Sequence, residues 1–258
     1  MGGKRRKIKR KKFVVKPWMV AALLAVTILA VLVPHFAWKR VAETGARVPK
    51  GYRHYMVDLS HHNPSDIQWD SLLVAIDGEG RTTRDLKRAK KIVPVHAVIL
   101  KASEGEQHRD RNFGRWWEEA GKAGLSRGAY HFFRSSKNPQ LQAANYIQRV
   151  QLTHRDLPPV LDIETVHAGC SRETLNERAL EWLRTVEQAY GRRPIVYTSD
   201  AFAKDWLNPD ILDHYPLWLA RYNSAPPRYA PWKWWQFTEG AVVYGIPQYV
   251  DLSVENLE

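Results

Sequence analysis

Pro158-Pro159-Val160-Leu161-Asp162-Ile163-Glu164 is the stretch on which the fold turns. Two prolines close off what precedes it, an apolar run follows, and two acids mark its end, as in a buried strand with a polar tip. Alternate strand residues face the same side, so Val160, Asp162 and Glu164 share one face and Leu161 and Ile163 the other. Acids at i and i+2 sit ~6.5 Å apart on that face. In a barrel of parallel strands, residues at the carboxyl ends form the functional rim. Taken alone, the pattern is short, and a solvated strand end with two unrelated acids explains it at least as well.

Outward from this run, seven more stretches have the same character: Tyr55–Leu59, Val95–Lys101, Gly128–Phe133, Pro194–Thr198, Pro216–Tyr222, Lys233–Phe237 and Tyr249–Leu252. Amphipathic segments fall between several of them, around Arg111–Ala123, Gln140–Gln151 and Arg172–Tyr190. The last has Ser171 as a cap, Glu173 and Glu177 at its positive end, apolar residues Leu175, Ala179, Leu183, Val186 and Tyr190 at helical spacing, and Gly191 as a stop. Strand and helix in alternation predict an α/β fold, an irregular TIM-barrel-like (β/α) barrel. The later strands leave little room for helices between them. Leu72 to Lys91 is charged and poorly patterned, and reads as a short helix and a surface loop.

Val57-Asp58-Leu59-Ser60 near the start of this region recurs as Val250-Asp251-Leu252-Ser253 near its end. First and last strands are neighbours in a closed barrel, so the repeat predicts Asp58 and Asp251 on one rim, each at the carboxyl end of its strand. With Asp162 and Glu164 they make a cluster of four acids. Carboxylates crowded in a partly dry cleft raise one another's pKa, leaving one protonated and another ionised, the division of labour that glycosidic cleavage needs.

The net charge of +12 invites a nucleic-acid reading until it is located. Residues 1–50 contain 13 of the 39 Lys and Arg and one of the 27 acids, Glu43, so the remaining residues hold 26 of each sign and balance to zero. A nucleic-acid-binding domain carries its excess charge on the folded surface, and none is left there. Lys4 to Lys12 has eight basic residues in nine positions, and Trp18 to Trp38 is 21 residues without a charged side chain. At 1.5 Å per residue such a helix spans a bilayer, with tryptophans at both interfaces and the denser positive charge on the cytoplasmic side. The expected organisation is a basic cytoplasmic tail (1–17), one transmembrane anchor (18–38), a linker (39–52) and an exported barrel domain (53–258). The competing reading is a cleaved signal peptide, but its apolar core would be shorter and end in a small-residue site, which 34–38 does not offer.

Cys170 is the only cysteine, so no disulfide forms within the chain, and no Cys/His set has zinc spacing. Neither a metal nor a cofactor is expected. In the adjacent pair His61-His62, one ring is expected to hydrogen-bond within the acid cluster. Lys101 and Glu104 read as a structural pair near the rim. Tyr130, Tyr197, Trp218, Tyr222 and Trp235 fall near strand ends, where rings either stack on sugars or pack the barrel. Gln236 reads as a hydrogen-bonder to sugar.

In order along the chain, Val57 to Asn63 with Ile67-Gln68-Trp69, Ile99 to Gly105, Arg109 to Phe113, Ala123 to Leu125 with Gly128 to Phe132, Pro159 to Glu164, Leu217 to Tyr222, Trp235 to Thr238 and Val250 to Leu252 form a set of landmarks. From about Tyr55 to Asn256 the chain thereby resembles the family 25 glycoside hydrolases, lysozymes of the Chalaropsis type. The resemblance implies hydrolysis of the β-1,4 bond between N-acetylmuramic acid and N-acetylglucosamine, with peptidoglycan glycan strands as partner. By position it implies Glu164 as general acid, Asp162 stabilising positive charge at the sugar ring, and Asp58 and Asp251 lining the same pocket. The second step stays open between an activated water, an enzyme nucleophile and the substrate's own 2-acetamido group. The alternatives are a non-catalytic peptidoglycan-binding scaffold and a glycosidase for another acetamido-sugar polymer.

Overall fold

The computed structural model describes residues 44–223, 225–228 and 231–257. The basic tail and the anchor expected over 18–38 lie outside these residues. Among the described residues no helix is long and apolar enough to cross a membrane.

In chain order the strands are β1 (Thr44–Arg47), β2 (Tyr55–Leu59), β3 (Leu73–Ile76), β4 (Arg81–Thr83), β5 (Lys91–Pro94), β6 (Ala97–Glu104), β7 (His108–Arg109), β8 (Ser126–Phe132), β9 (Val160–Asp162), β10 (Ile195–Ser199), β11 (Leu217–Ala220), β12 (Trp234–Val242) and β13 (Tyr249–Glu255). The helices are α1 (Phe113–Lys122), α2 (Pro139–Arg149), α3 (Arg172–Tyr190), α4 (Asp200–Trp206) and α5 (Pro209–Leu212). Local chemistry sets several of their ends. The Asn138 side chain accepts hydrogen bonds from the first backbone amides of α2, with Pro139 as its first residue. Ser171 caps α3, and Gly191 ends it in the left-handed region at φ 62°.

Eight strands close into a barrel in the order β2-β13-β12-β11-β10-β9-β8-β6, with β6 pairing back to β2 and the short β7 added outside β6. These are the eight strands read from the sequence. Within the closed barrel all neighbouring pairs are parallel except the two made by β13, which runs antiparallel to both β12 and β2. Only six residues separate β12 from β13, too few for a crossover, so the two form a hairpin. This corrects the expectation that Asp251 ends its strand: it is the third residue of β13. It still reaches the rim, because reversing the strand puts its first residues where the other strands finish.

Side-chain alternation divides the apolar residues into two layers. Met56, Ala97, Ile99, Val160, Ile195, Trp218 and Trp234 fill the barrel. Residues at intervening positions, such as Val57, Val98, Leu161, Val196 and Leu219, join the outer core with Leu175, Ala179, Trp182, Leu183 and Val186 of α3.

Two further expectations fail. The stretch read as a linker contributes β1, which pairs with β4. The region from Leu72 to Lys91 holds no helix; β1, β4, β3 and β5 build a four-stranded antiparallel sheet. Its longest apolar strand is Leu73-Val74-Ala75-Ile76, three of whose four residues are buried. Such short runs, set among charged turns, are below the length at which periodicity reads out.

Candidate active site

Successive inward positions on the strands build the site. On β9, Val160 lies in the barrel core, Asp162 is the last strand residue and Glu164 follows two places on. On β2 the same alternation sends Met56 into the barrel and Asp58 to the rim, where Asp58 is the register partner of Asp251. Asp58, Asp162, Glu164 and Asp251 line one pocket of about 230 Å³ together with Ser60, His62, Lys101, Tyr130, Phe132, Tyr197 and Trp218.

The four carboxyls differ in setting. Asp162 is buried, and its Oδ1 has no hydrogen-bond partner among the described residues. Burial raises its pKa well above the usual carboxylate range; Glu164 raises it further, and Lys101 opposes. Glu164 is open to solvent at the mouth, yet the pocket walls displace enough water to raise its pKa, with the Asp251 charge adding and the Lys101 charge subtracting. Asp58 is pushed well up by burial and then by Asp251, to which it hydrogen-bonds. Burial also raises Asp251, but the bond from Asp58 works to lower it. Burial and closeness thus favour one proton held between the two carboxyls rather than two full charges.

Gln236 fixes the orientation of that pair. Its Nε2 donates to Asp58 Oδ2 at 3.0 Å, while its Oε1 accepts from Tyr197 Oη at 2.8 Å and Tyr222 Oη at 2.7 Å. With its oxygen occupied by two phenols, the amide has only its N–H side to offer Asp58, which leaves Oδ1 for the shared proton. Gln236 is itself buried, while Tyr222 is 51% exposed at the rim. Among the predicted rings, Tyr130, Tyr197 and Trp218 line the pocket, and the Trp218 indole is anchored by donating to Ser253 Oγ at 3.0 Å.

Trp235 is a correction. On β12, Trp234 and Gln236 face inward, so Trp235 faces out, fully buried against Tyr52, Trp232 and Phe237, with Nε1 donating to the Arg221 carbonyl. It has no route to the pocket. The histidine expectation also fails: His61 Nδ1 contacts Asp110 Oδ2 at 2.7 Å, away from the four acids, while His62 lines the pocket.

Lys101 is the residue whose place in the site the sequence reading undervalued. It continues the inward face of Ala97 and Ile99, and an ammonium at the next position of an otherwise apolar face was a legible signal. Its Nζ lies 2.6 Å from Glu104 Oε2 and 5.0 Å from the Phe132 ring centre. Arg134 donates to the other Glu104 oxygen, through Nε at 2.9 Å. Burial alone would raise the Glu104 carboxyl, but the bonds from Lys101 and Arg134 outweigh it and hold it at about 2. Glu104 thus stays ionised beside a cluster in which protons are retained.

The sequence profile described as Glycosyl hydrolases family 25 matches residues 57–246. A protein of Escherichia coli (strain K12), "Uncharacterized protein YegX", is 30% identical over 223 residues, covering 86% of this chain and 76% of that one. "Lysozyme M1" of Streptomyces globisporus is 27% identical over 219 residues, covering 78% of this chain and 67% of its own. Among solved structures, the bacterial lysozyme from Streptomyces coelicolor superposes with a TM-score of 0.66 at 24% identity, covering 79% of this chain and 92% of that one. At that identity the likeness is one of fold.

Proposed function

The chain belongs to glycosyl hydrolase family 25 and is a glycoside hydrolase, and from that premise we propose that it cleaves peptidoglycan at the β-1,4 bond between N-acetylmuramic acid and N-acetylglucosamine. The observation that carries the reading is the convergence of Asp162 and Glu164 with the proton-sharing pair Asp58–Asp251 in one pocket. Glu164, raised in pKa and open to the mouth, is the general acid. Asp162 is the acceptor for the substrate's 2-acetamido N–H, because its buried Oδ1 lacks a donor. Asp58 and Asp251, held by Gln236, orient the sugar and keep a second full charge off the pocket wall.

Before substrate arrives, burial favours the proton on Asp162 over Glu164. A hydrogen bond from the acetamido N–H stabilises the ionised form of Asp162 and moves that preference to Glu164. The Glu164 proton passes to the glycosidic oxygen as the C1–O bond breaks. The acetamido carbonyl oxygen closes onto C1, and Asp162 balances the positive charge on the resulting ring. Water then attacks C1 as the C1–O bond to the acetamido oxygen breaks, yielding its proton to the Glu164 carboxylate, and the anomeric configuration is retained. Tyr130, Tyr197, Trp218 and Tyr222 supply the sugar-facing walls. The chain acts at the producer's cytoplasmic membrane as a single-pass protein, N-terminus inside and hydrolase domain outside; the basic run and the uncharged 21 residues from Trp18 to Trp38 support this.

Glu164→Gln tests the assignment. Wall turnover measured by turbidity and zymogram should fall by about 10²- to 10⁴-fold while binding to insoluble peptidoglycan persists. Equal turnover by the variant would remove Glu164 from the mechanism. A wild type that binds wall without releasing muropeptides would make this a binding scaffold. Release of chitooligosaccharides in place of muropeptides would change the substrate. Inversion at C1 would exclude the acetamido route.

A further inference from the structure

The floor of the barrel, opposite the pocket, holds a second cluster that hydrolysis does not use. His54 precedes β2, His96 precedes β6, and Glu255 ends β13. Glu255 lies four residues from Asp251, or ~13 Å along the strand. The three residues come from strands that are neighbours in the barrel, β6-β2-β13. One nitrogen of each imidazole and one Glu255 oxygen all lie within 4.8 Å of one another.

Backbone bonds fix the positions from which these side chains project: the Glu255 amide donates to the His54 carbonyl at 3.1 Å, and the His96 amide to the Tyr55 carbonyl at 2.8 Å. The carboxylate is oriented from inside the barrel. Trp234 Nε1 donates to Glu255 Oε1 at 3.2 Å, leaving Oε2 toward His54 Nδ1, 3.0 Å away. A Glu–His ion pair would account for His54 and Glu255, but not for His96. That ring stacks on His54 with centres 4.4 Å apart and planes at 14°, and makes no hydrogen bond to protein among the described residues. Being exposed, it has room to turn out of the stack, the movement needed for its nitrogen lone pair to meet that of His54 at one ion. The other charged group at the cluster is Lys233, whose Nζ is 3.7 Å from Oε1 on the far side of the carboxylate and whose side chain is 43% exposed.

We infer that His54, His96 and Glu255 bind a divalent transition-metal ion of the zinc class. Two imidazoles and one carboxylate match the protein ligands of open zinc sites and are too rich in nitrogen for calcium or magnesium. The indole bond to Oε1 is the outer support such carboxylates take. Because His96 faces solvent, the fourth position is left to water. Bound there, the ion ties together the three strands at which the barrel closes on itself. The site is independent of the glycosidase assignment and stands or falls apart from it.

The test is titration of the chelator-treated full chain with ZnCl2 near pH 7.5, against a chromogenic metal indicator, beside His96→Ala and Glu255→Gln. The expected result is one equivalent bound by the wild type and absent from both variants, with wall hydrolysis by His96→Ala unchanged. His61→Ala/His108→Ala, which alters the imidazoles around Asp110, should keep the equivalent. No binding by the wild type, or equal binding by His96→Ala and Glu255→Gln, overturns the site. Should either variant lose its circular dichroism, CoCl2 added to the wild type decides: intense visible bands of a four-coordinate ion support the site, and their absence refutes it.

Discussion

Asp162→Asn should make the protein more stable while making it a poorer enzyme. The Asp162 carboxyl is buried with one oxygen unpartnered, its pKa raised well above the usual range by burial and by Glu164. A buried acceptor without a partner costs about 1–3 kcal/mol. The amide removes the charge but keeps one polar group short of a partner, so the gain is placed at about 1–2 kcal/mol. For a domain of this size that is a rise in Tm of roughly 2–8 °C at pH 7. The gain depends on pH in a fixed sense. Because the folded pKa is raised, the native state keeps a proton that the unfolded chain has released above about pH 4. Wild-type stability therefore falls as pH rises from there through the folded pKa, and each tenfold difference in proton affinity costs about 1.4 kcal/mol. Below about pH 4 both states are protonated, and variant and wild type should converge. Thermal unfolding of the full chain across pH 3.5–7.5, with wall turnover measured in parallel, checks both halves. A variant no more stable than wild type at pH 7, or a gap that stays open at low pH, would refute the account of Asp162 as a buried, unsatisfied carboxyl.

Gln236→Ala releases Asp58 Oδ2 and two tyrosine hydroxyls at once; kcat should drop about 10- to 100-fold, and the melting temperature should fall by several degrees because the buried Tyr197 hydroxyl loses its acceptor. Gly245 sits at φ 91°, and a Cβ there would come within 2.9 Å of Leu72 Cδ2 and 3.0 Å of the Gln68 carbonyl. Gly245→Ala should therefore cost about 1–3 kcal/mol in chemical denaturation. Mass measurement of the native N-terminus should find the segment before Trp38 retained; a terminus beyond it would replace the anchor with a cleaved leader.

The sequence disclosed the barrel because its inner face is regular. Several strand runs were apolar with a polar residue placed near one end, and the acids stood at positions whose parity could be counted from Val160 or Met56. It disclosed less where parity ran through similar residues. Trp234 and Trp235 are both tryptophan, and only the register of β12 says which one faces inward. The direction of β13 was hidden for a related reason: Val-Asp-Leu-Ser reads alike whether the strand arrives at the rim or leaves it. The small sheet escaped because its strands are three or four residues long and take their order from each other. The Lys101–Glu104 pair was legible and forms as read; what the local pairing did not disclose is that Lys101 also lines the pocket, since its reach toward Asp162 depends on the barrel closing.

The reversed final strand has a consequence for how this fold can vary. Seven strands reach the pocket from below, and all but β12 are followed by connections that can lengthen beyond their last rim residue without shifting it. Asp251 is reached from above, after the β12–β13 turn. Insert one residue into that turn without a compensating bulge, and the alternation of β13 is displaced by one, turning Asp251 out toward the apolar shell and Val250 or Leu252 into the acid pocket. Turn length is therefore a chemical variable at this one corner: insertions should survive there in even steps or with a bulge, while other rim loops accept any number.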